Sequence, residues 1–190
     1  KTMGIILASS SPRRKKILEE LGYSFKCISP DVDESNLDNL NPVDYVKYIS
    51  NKKAKYVYGS NNKNYVLSGD TIINFNEEII GKPSSLNEAI LILMKLSNKT
   101  HTVISGLSLC YQGKNITIYD QTDVTFKKLS EADITNYVNS FGVLDKAGAY
   151  NIEDAESILI KHIDGCYNNI VGFPVNKFKM SNIKTVIDSI

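Results

Sequence analysis

The sequence predicts an α/β protein of one domain, or one domain with two lobes, built on a mixed, strongly curved sheet flanked by helices. Three observations predict it. Apolar strand-like runs and helical patterns intermingle without the strict strand–helix–strand repetition of a purely parallel sheet. A strand-rich stretch over residues 101–128 turns back at Gln112-Gly113-Lys114 and reads as an antiparallel hairpin. No repeat, low-complexity tract or interdomain linker interrupts the 190 residues, a length that can bury a substantial core.

The elements follow in order. Gly4–Ala8 is a short apolar run that fits a buried strand. Ser11-Pro12 opens a helix, because serine caps unpaired first-turn N–H groups and proline is pre-set for the first helical position. Ile17, Leu18 and Leu21 form its apolar face, and Gly22 supplies a left-handed stop. Phe25–Ser29 is a second strand, followed by a polar loop with four acidic residues, Asp31, Asp33, Glu34 and Asp38. Helical spacing returns from Val43 to Tyr58 through Val43, Val46, Ile49, Lys53 and Val57. Tyr65–Phe75 is a strand that runs out in a turn at Asn74–Glu78, and Gly81–Ser85 is a loop. Ala89, Ile90, Leu93 and Leu96 mark an apolar helix over Leu86–Leu96. After the hairpin, Ser130 and Asp133 stand at capping-box spacing before a helix carrying Ile134, Tyr137 and Val138, with Gly142 as its stop. Asp145–Asp154 reads as loop, Ser157–Asp164 as a strand, and the segment after Pro174 as a last helix.

Composition narrows the functional classes. Hydrophobic residues at 42% and charged residues at 23% are ordinary for a soluble globular chain. A net charge of +1 leaves no overall attraction for polyanions, so any anion must be held by a local cluster. Basic residues with interleaved aromatics do not gather into a face, so no nucleic-acid partner is expected. No apolar run reaches the roughly 18 residues of a membrane span, and no targeting segment is read ahead of the first strand. Cys27, Cys110 and Cys166 are odd in number and form no CxxC pair, so free thiols in a reducing, cytoplasmic setting are expected.

Chemistry concentrates at a few positions. Of the 22 Lys and Arg residues only Arg13 and Arg14 are arginine, and they sit side by side in a first helical turn. Cations there oppose the helix dipole unless an anion is bound. A strand entering a Ser-rich turn and then a helix N-terminus is itself an anion site, and the guanidinium fork grips phosphate oxygens bidentately. Successive helical side chains point about 100° apart, so the two arginines would flank an extended polyphosphate. Asp70 ends an apolar strand beside a glycine, and Glu34, with Asp31 and Asp33, lies in the acidic loop. Each alone would more often be a turn or capping residue. Lys82 sits in a tight Gly-Lys-Pro loop, and Lys53 interrupts an apolar helical stripe. The chain has no P-loop, no GxGxxG, no HExxH and no nucleophile elbow. His101 reads as a polar residue at a strand end. From the residues alone, the expectation is a cleft in which cations bind phosphates. Its carboxylates would hold a hard divalent cation, Mg²⁺ above all, and activate a water for attack on phosphorus.

Taken together, these motifs resemble the Maf family of nucleoside triphosphate pyrophosphatases. The resemblance is carried by ILASSSPRRKKILEELG, VDES, NKKA, LSGDTIINFNEEIIGKP, KLSNKTHTVISGLSL, TDVTF, YVNSFGVLDKAGAYNIED and IDGCYNNIVGFP. It is collinear from Ile5 to Phe178. It implies a two-lobed fold related to the inosine triphosphate pyrophosphatases (the Maf/Ham1 fold), with a central nucleotide cleft spanning one domain over residues 1–190. It implies cleavage between the α and β phosphates with Mg²⁺ or Mn²⁺. By matching position, Ser9, Arg13, Arg14 and Lys53 would bind the triphosphate together with Lys82, which also counts among the catalytic residues. Glu34 and Asp70 would handle metal and water, with Asp70 as the base.

Arg13-Arg14, Asp70-Thr71 and Ala149-Tyr150-Asn151-Ile152 agree with the subfamily that prefers dTTP and UTP, with Thr71 on the substrate side. Glu153 departs from it, since that subfamily carries glutamine there. An ionised glutamate accepts hydrogen bonds but cannot donate one to a base carbonyl. If Glu153 meets the base, tolerance of an amino-bearing pyrimidine such as CTP is expected. The alternatives are 7-methyl-GTP specificity, or a nucleotide-binding regulator of cell division with little turnover. The resemblance also suggests a homodimer.

Overall fold

The computed structural model describes residues 3–35 and 39–190, so Asp38 of the acidic loop lies outside the described residues. The chain begins with β1 (Ile5–Leu7), α1 (Pro12–Glu20) and β2 (Phe25–Cys27), then runs into the long α2 (Pro42–Ser60). β3 (Tyr65–Phe75) turns back as the short β4 (Glu78–Ile80), and α3 (Leu86–Leu96) leads to β5 (Thr100–Tyr111) and β6 (Lys114–Phe126). α4 (Glu131–Ser140), a single 3-10 turn (Ala147–Ala149) and α5 (Ile152–Ala155) precede β7 (Ile160–Asp164). Three short helices follow, α6 (Tyr167–Val171), α7 (Val175–Lys179) and α8 (Asn182–Ile187).

The strands form one mixed sheet in the order β2-β1-β3-β5-β6-β7, with β4 also on β3. β1 is parallel to β2 and β3, and the other pairs are antiparallel. One edge of β3 is paired with β5 along the whole of Val66–Asn74. The other edge is shared, β1 taking Tyr65–Leu67 and β4 taking Ile73–Phe75. The middle of β3 therefore has no strand on that side. There β1 has ended and the chain has turned through Ser9–Ser11 into α1. The carboxyl end of a parallel strand beside a helix N-terminus is where α/β sheets receive ligands.

Strand alternation decides what faces this gap. Leu7, Leu67 and Leu107 join the main core with Ile17 and Leu18 of α1. Ile6, Ala8 and Val66 point to the opposite face, where Val57 of α2 covers them. Val46 of α2 covers Ile72 and Ile104 further along. Burying each such aliphatic side chain is worth about 1.5–3 kcal/mol, so these contacts fix α2 along β3. Asp70 shares the face of Val66 and Ile72, and Lys53 lies on α2 between Val46 and Val57. Packing therefore brings the one lysine in the apolar stripe over the one carboxylate in the apolar strand. Gly106 permits the close approach, since a Cβ there would lie 2.9 Å from the Val46 carbonyl oxygen.

The caps behave as predicted for α1 and α4. Ser11 Oγ accepts from Arg14 N, and the Ser130–Asp133 capping box is complete. Other elements differ from expectation. The turn after β3 is a tight hairpin into β4, because Asn76 and Glu77 adopt left-handed backbone (φ 52° and 62°). Gly142 does not stop α4; Phe141 ends it in extended backbone. Asp145–Asp154 is not plain loop but carries the 3-10 turn and α5. The strand near 157–164 is confined to Ile160–Asp164, since Ala155 accepts the backbone N–H of Leu159 and holds the start in a turn. Tyr167–Val171 forms a helix that no cap announces, and the C-terminal helix is two, restarted where Ser181 caps α8. His101 is a core residue, 2% exposed, packed edge-on against Phe126 and sharing a 2.7 Å hydrogen bond with Tyr150 Oη. All three cysteines are free, Cys27 exposed and Cys110 and Cys166 buried. Among the described residues no helix is long and apolar enough to cross a membrane.

Candidate active site

A cleft of about 720 Å³ opens over the gap in the sheet. Its walls come from the start of α1, the middle of β3, the loop after β4, the segment 145–152 and the end of α6. Arg13, Arg14, Glu34, Lys53, Asp70, Thr71 and Lys82 all line it. Seven residues scattered from 13 to 82 thus converge on one space.

At the centre, Lys53 Nζ lies 2.8 Å from Glu34 Oε1 and 3.0 Å from Asp70 Oδ1. One ammonium thus joins the acidic loop to β3. Asp70 is buried, and burial pushes its carboxyl above the usual carboxylate range. Lys53 opposes that rise, Glu34 adds to it, and Arg14 opposes it more weakly. The second oxygen, Asp70 Oδ2, is buried without a hydrogen-bond partner. A buried carboxylate oxygen left unpaired is a group prepared for something the protein itself does not supply. Tyr45, also in the wall, has its phenol pushed up by burial and by these two carboxylates.

The two arginines do different things. Arg14 is 7% exposed, and its side chain crosses the gap beside Gly69. Nε donates to the Gly172 carbonyl (2.9 Å), Nη1 to Ser9 Oγ (2.8 Å) and Nη2 to Thr71 Oγ1 (3.4 Å). Those bonds occupy three of the five guanidinium N–H donors. Burial lowers its pKa, which Asp70 partly restores, yet a guanidinium remains charged at neutral pH. Arg13 is only half-buried and donates from Nη1 to Asn151 Oδ1 at 3.1 Å. The predicted divergence of successive helical side chains is therefore present, one arginine going into the sheet and the other along the rim.

Ser105, Asn169 and Gly172, which sequence reading missed, hold this arrangement together with Thr71 and Ser9. Thr71 Oγ1 and Ser105 Oγ are 2.7 Å apart, and Ser105 Oγ donates to the Asn169 carbonyl at 2.7 Å. A hydroxyl has one proton, so Thr71 donates to Ser105 and accepts from Arg14. Asn169 is fully buried and donates from Nδ2 to Val103 O and Thr122 Oγ1, both at 3.1 Å. Gly69 matters by its size: a Cβ there would lie 2.7 Å from Arg14 Nε. Asp70 does not end its strand, since β3 runs on through Ile72 and Ile73 to Phe75. The glycine beside it was a usable signal, whereas a backbone carbonyl at Gly172 left none. Ser9 sits just behind the lining, 8% exposed, and serves Arg14. Glu153 is exposed at the start of α5 and is not among the lining residues, which end there at Ile152.

The sequence pattern of the Maf-like protein family matches residues 4–181. The chain belongs to the Maf family. The dTTP/UTP pyrophosphatase of Bacillus anthracis is 42% identical to it over 173 residues, 91% of each chain. The dTTP/UTP pyrophosphatases of Bacillus cereus strain AH820 and Bacillus thuringiensis subsp. konkukian share the same identity and coverage. Among solved structures, a HAM1 protein from Coxiella burnetii aligns over 83% of this chain and 91% of its own, with a TM-score of 0.47 and 16% identity. The Staphylococcus aureus Ham1 protein aligns over 81% and 90%, with a TM-score of 0.45 and 16% identity. The α/β class rests on the mixed sheet itself, with α2 on one face and α1 with the remaining core on the other.

In this Maf-family chain the gap in the sheet is the organising feature. It places a positive helix start, a fixed buried arginine and an unpaired carboxylate oxygen within one cleft. Anion binding and proton abstraction are the chemistry such a set can perform.

Proposed function

We propose that this protein is a pyrophosphatase for pyrimidine nucleoside triphosphates, splitting dTTP, UTP and also CTP into monophosphate and pyrophosphate. The observation that carries it is Asp70: buried, ion-paired to Lys53 through one oxygen, and unpartnered at the other inside a cation-lined cleft. The names of the Bacillus relatives support the substrate class.

Asp70 acts as general base. Its Oδ2 takes a proton from water, the water oxygen bonds to the α phosphorus, and the α–β bridging P–O bond breaks. The electron pair leaves with pyrophosphate. The raised pKa brings the base nearer to neutral pH, which favours proton transfer. Lys53 holds Glu34 and Asp70 together against their mutual repulsion. Arg13 and Lys82 grip phosphate oxygens, while Arg14 supplies a fixed positive potential. In this reading Ser9 and Thr71 act on substrate through the Arg14 guanidinium they hold.

The donor set also fits a divalent cation. Two carboxylates in one cleft, one of them with an unpartnered oxygen, suit Mg²⁺. That ion binds through one or two carboxylates plus waters and substrate phosphates. Glu34 and Asp70 would hold it, or Mn²⁺, and it would neutralise phosphate charge and acidify a water.

A pyrophosphate-release assay with a nucleotide panel and Mg²⁺ tests the proposal. Release from dTTP and UTP well above 7-methyl-GTP is expected. Binding without release from any triphosphate would replace it with the regulator. If Glu153 meets the base, Glu153→Gln should shift the CTP to UTP turnover ratio; identical profiles would remove it from base recognition.

A further inference from the structure

The segment between α4 and α5 carries a lysine that the functional reading does not use. Lys146 lines the cleft, and its side chain is 22% exposed. Its Nζ lies 2.7 Å from Asp145 Oδ2, the carboxylate of its own neighbour, which is 72% exposed. Asp145 lines the cleft as well. Lys146 and, more weakly, Arg13 both hold the Asp145 carboxyl below its ordinary range. A single carboxylate thus stands in the field of two cleft cations.

The backbone fixes this lysine in place. Gly148 and Ala149 adopt left-handed conformations, φ 72° and 61°, and both are buried. A non-glycine residue is kept in that region only when its surroundings hold it there. Gly148 N donates to the Gly81 carbonyl at 3.1 Å, one residue before Lys82. One main-chain hydrogen bond therefore ties together the segments that carry Lys82 and Lys146.

Two of the other cleft cations are already committed. Lys53 serves Glu34 and Asp70, and Arg14 serves Ser9, Thr71 and Gly172. Arg13, Lys82 and Lys146 remain to meet phosphate oxygens, and of these Lys146 has an anion on it.

We propose that Lys146 is a ligand of the terminal phosphates of the substrate, and that Asp145 occupies this anion position until the phosphates displace it. The inference rests on the nucleotide reading above and names a further residue of the same site. An exposed carboxylate–lysine pair is weak and readily given up. A polyphosphate brings several charged acceptors where Asp145 brings one, so exchange favours the substrate.

The test uses inorganic pyrophosphate, which has no base or sugar, and thymidine monophosphate, which has no terminal phosphates. Binding of both is measured by calorimetry on the full chain, with KM for dTTP alongside. Lys146→Ala should weaken pyrophosphate binding and raise KM by about tenfold to a hundredfold, the loss of a charge-assisted contact, and leave the monophosphate unchanged. Lys146→Gln keeps most of the stem and should show the same loss, which separates charge from packing. Asp145→Asn should tighten pyrophosphate binding. Unchanged pyrophosphate affinity and KM in both lysine variants, or weaker binding in Asp145→Asn, would overturn the inference. Wild-type turnover with an unaffected Lys146→Ala sinks this inference alone. Pyrophosphate binding that depends on Lys146, without turnover of any triphosphate, sinks the pyrophosphatase reading alone.

Discussion

Acid should weaken this fold through one histidine. His101 is buried in the core, and burial lowers its pKa from 6.5 to about 4, against a small upward pull from Asp123. The folded protein therefore keeps the ring neutral, whereas the unfolded chain protonates it below pH 6.5. Between the two pKa values the unfolded state binds more protons, so stability falls as pH falls. The contribution is fully present above pH 6.5. Each pKa unit is worth about 1.4 kcal/mol, so moving from pH 7 to 5 removes about 2 kcal/mol, and the loss levels off near 3 kcal/mol below pH 4. That is a sizeable fraction of the ~5–15 kcal/mol that stabilises a typical domain. The ring is bonded to Tyr150, and Tyr150 lines the cleft, so the loss falls on a cleft wall. Urea unfolding of wild type and His101→Gln at several pH values isolates the effect, because other carboxylates titrate in both proteins. The wild type should lose about 2 kcal/mol more than the variant between pH 7 and 5. Parallel stability curves for the two proteins would refute the reasoning.

Other outcomes follow from the cleft. Asp70→Asn should lower kcat by about 10²–10⁴-fold while nucleotide still binds, since removal of a general base costs that much; full activity would refute the assignment. Because Asp70 must be ionised to act and burial raises its pKa, kcat/KM should fall with acid in a limb lying above the usual carboxylate range. A pH–rate profile checks this, and Asp70→Asn should lack that limb. Arg13→Lys should raise KM by about tenfold, because the ammonium loses the bidentate fork; unchanged kinetics would remove Arg13 from the phosphate site. Gly69→Ala places a Cβ 2.7 Å from Arg14 Nε and 3.0 Å from the Gly106 carbonyl oxygen. It should cost about 1–3 kcal/mol of stability and lower kcat/KM together; a normal Tm with normal kinetics would show that Arg14 is not held as described.

Much of the molecule was legible because it is local. Caps at Ser11 and Ser130 act within a turn, and the apolar periods of α2, α3 and β3 are set by residues a few positions apart. The hairpin at Gln112-Gly113 is of the same kind, with both residues at positive φ. α6 and the break between α7 and α8 were not legible, because these short helices are held by tertiary burial of Ile170, Val171, Phe178 and Ile183 more than by local signals. His101 looked like a polar strand end, since nothing in its neighbourhood reveals that Phe126 and Tyr150 close over it.

The candidate site divides along the same line. The sequence by itself determined that Arg13 and Arg14 open a helix after a strand, that Asp70 stands beside Gly69 in an apolar strand, and that Lys53 breaks an apolar stripe. Helical and strand periods decide such facts, and they depend only on spacing. Tertiary structure alone decided that β1 and β4 share one edge of β3 and leave its middle open. It also decided that α2 sets Lys53 onto Asp70 and Glu34, that Arg14 is a buried support while Arg13 stays on the rim, and that Lys146 enters the cleft with Asp145 on it. Those pairings join residues far apart in the chain, and their energies depend on burial and distance. Neither quantity exists until the sheet has closed around the gap.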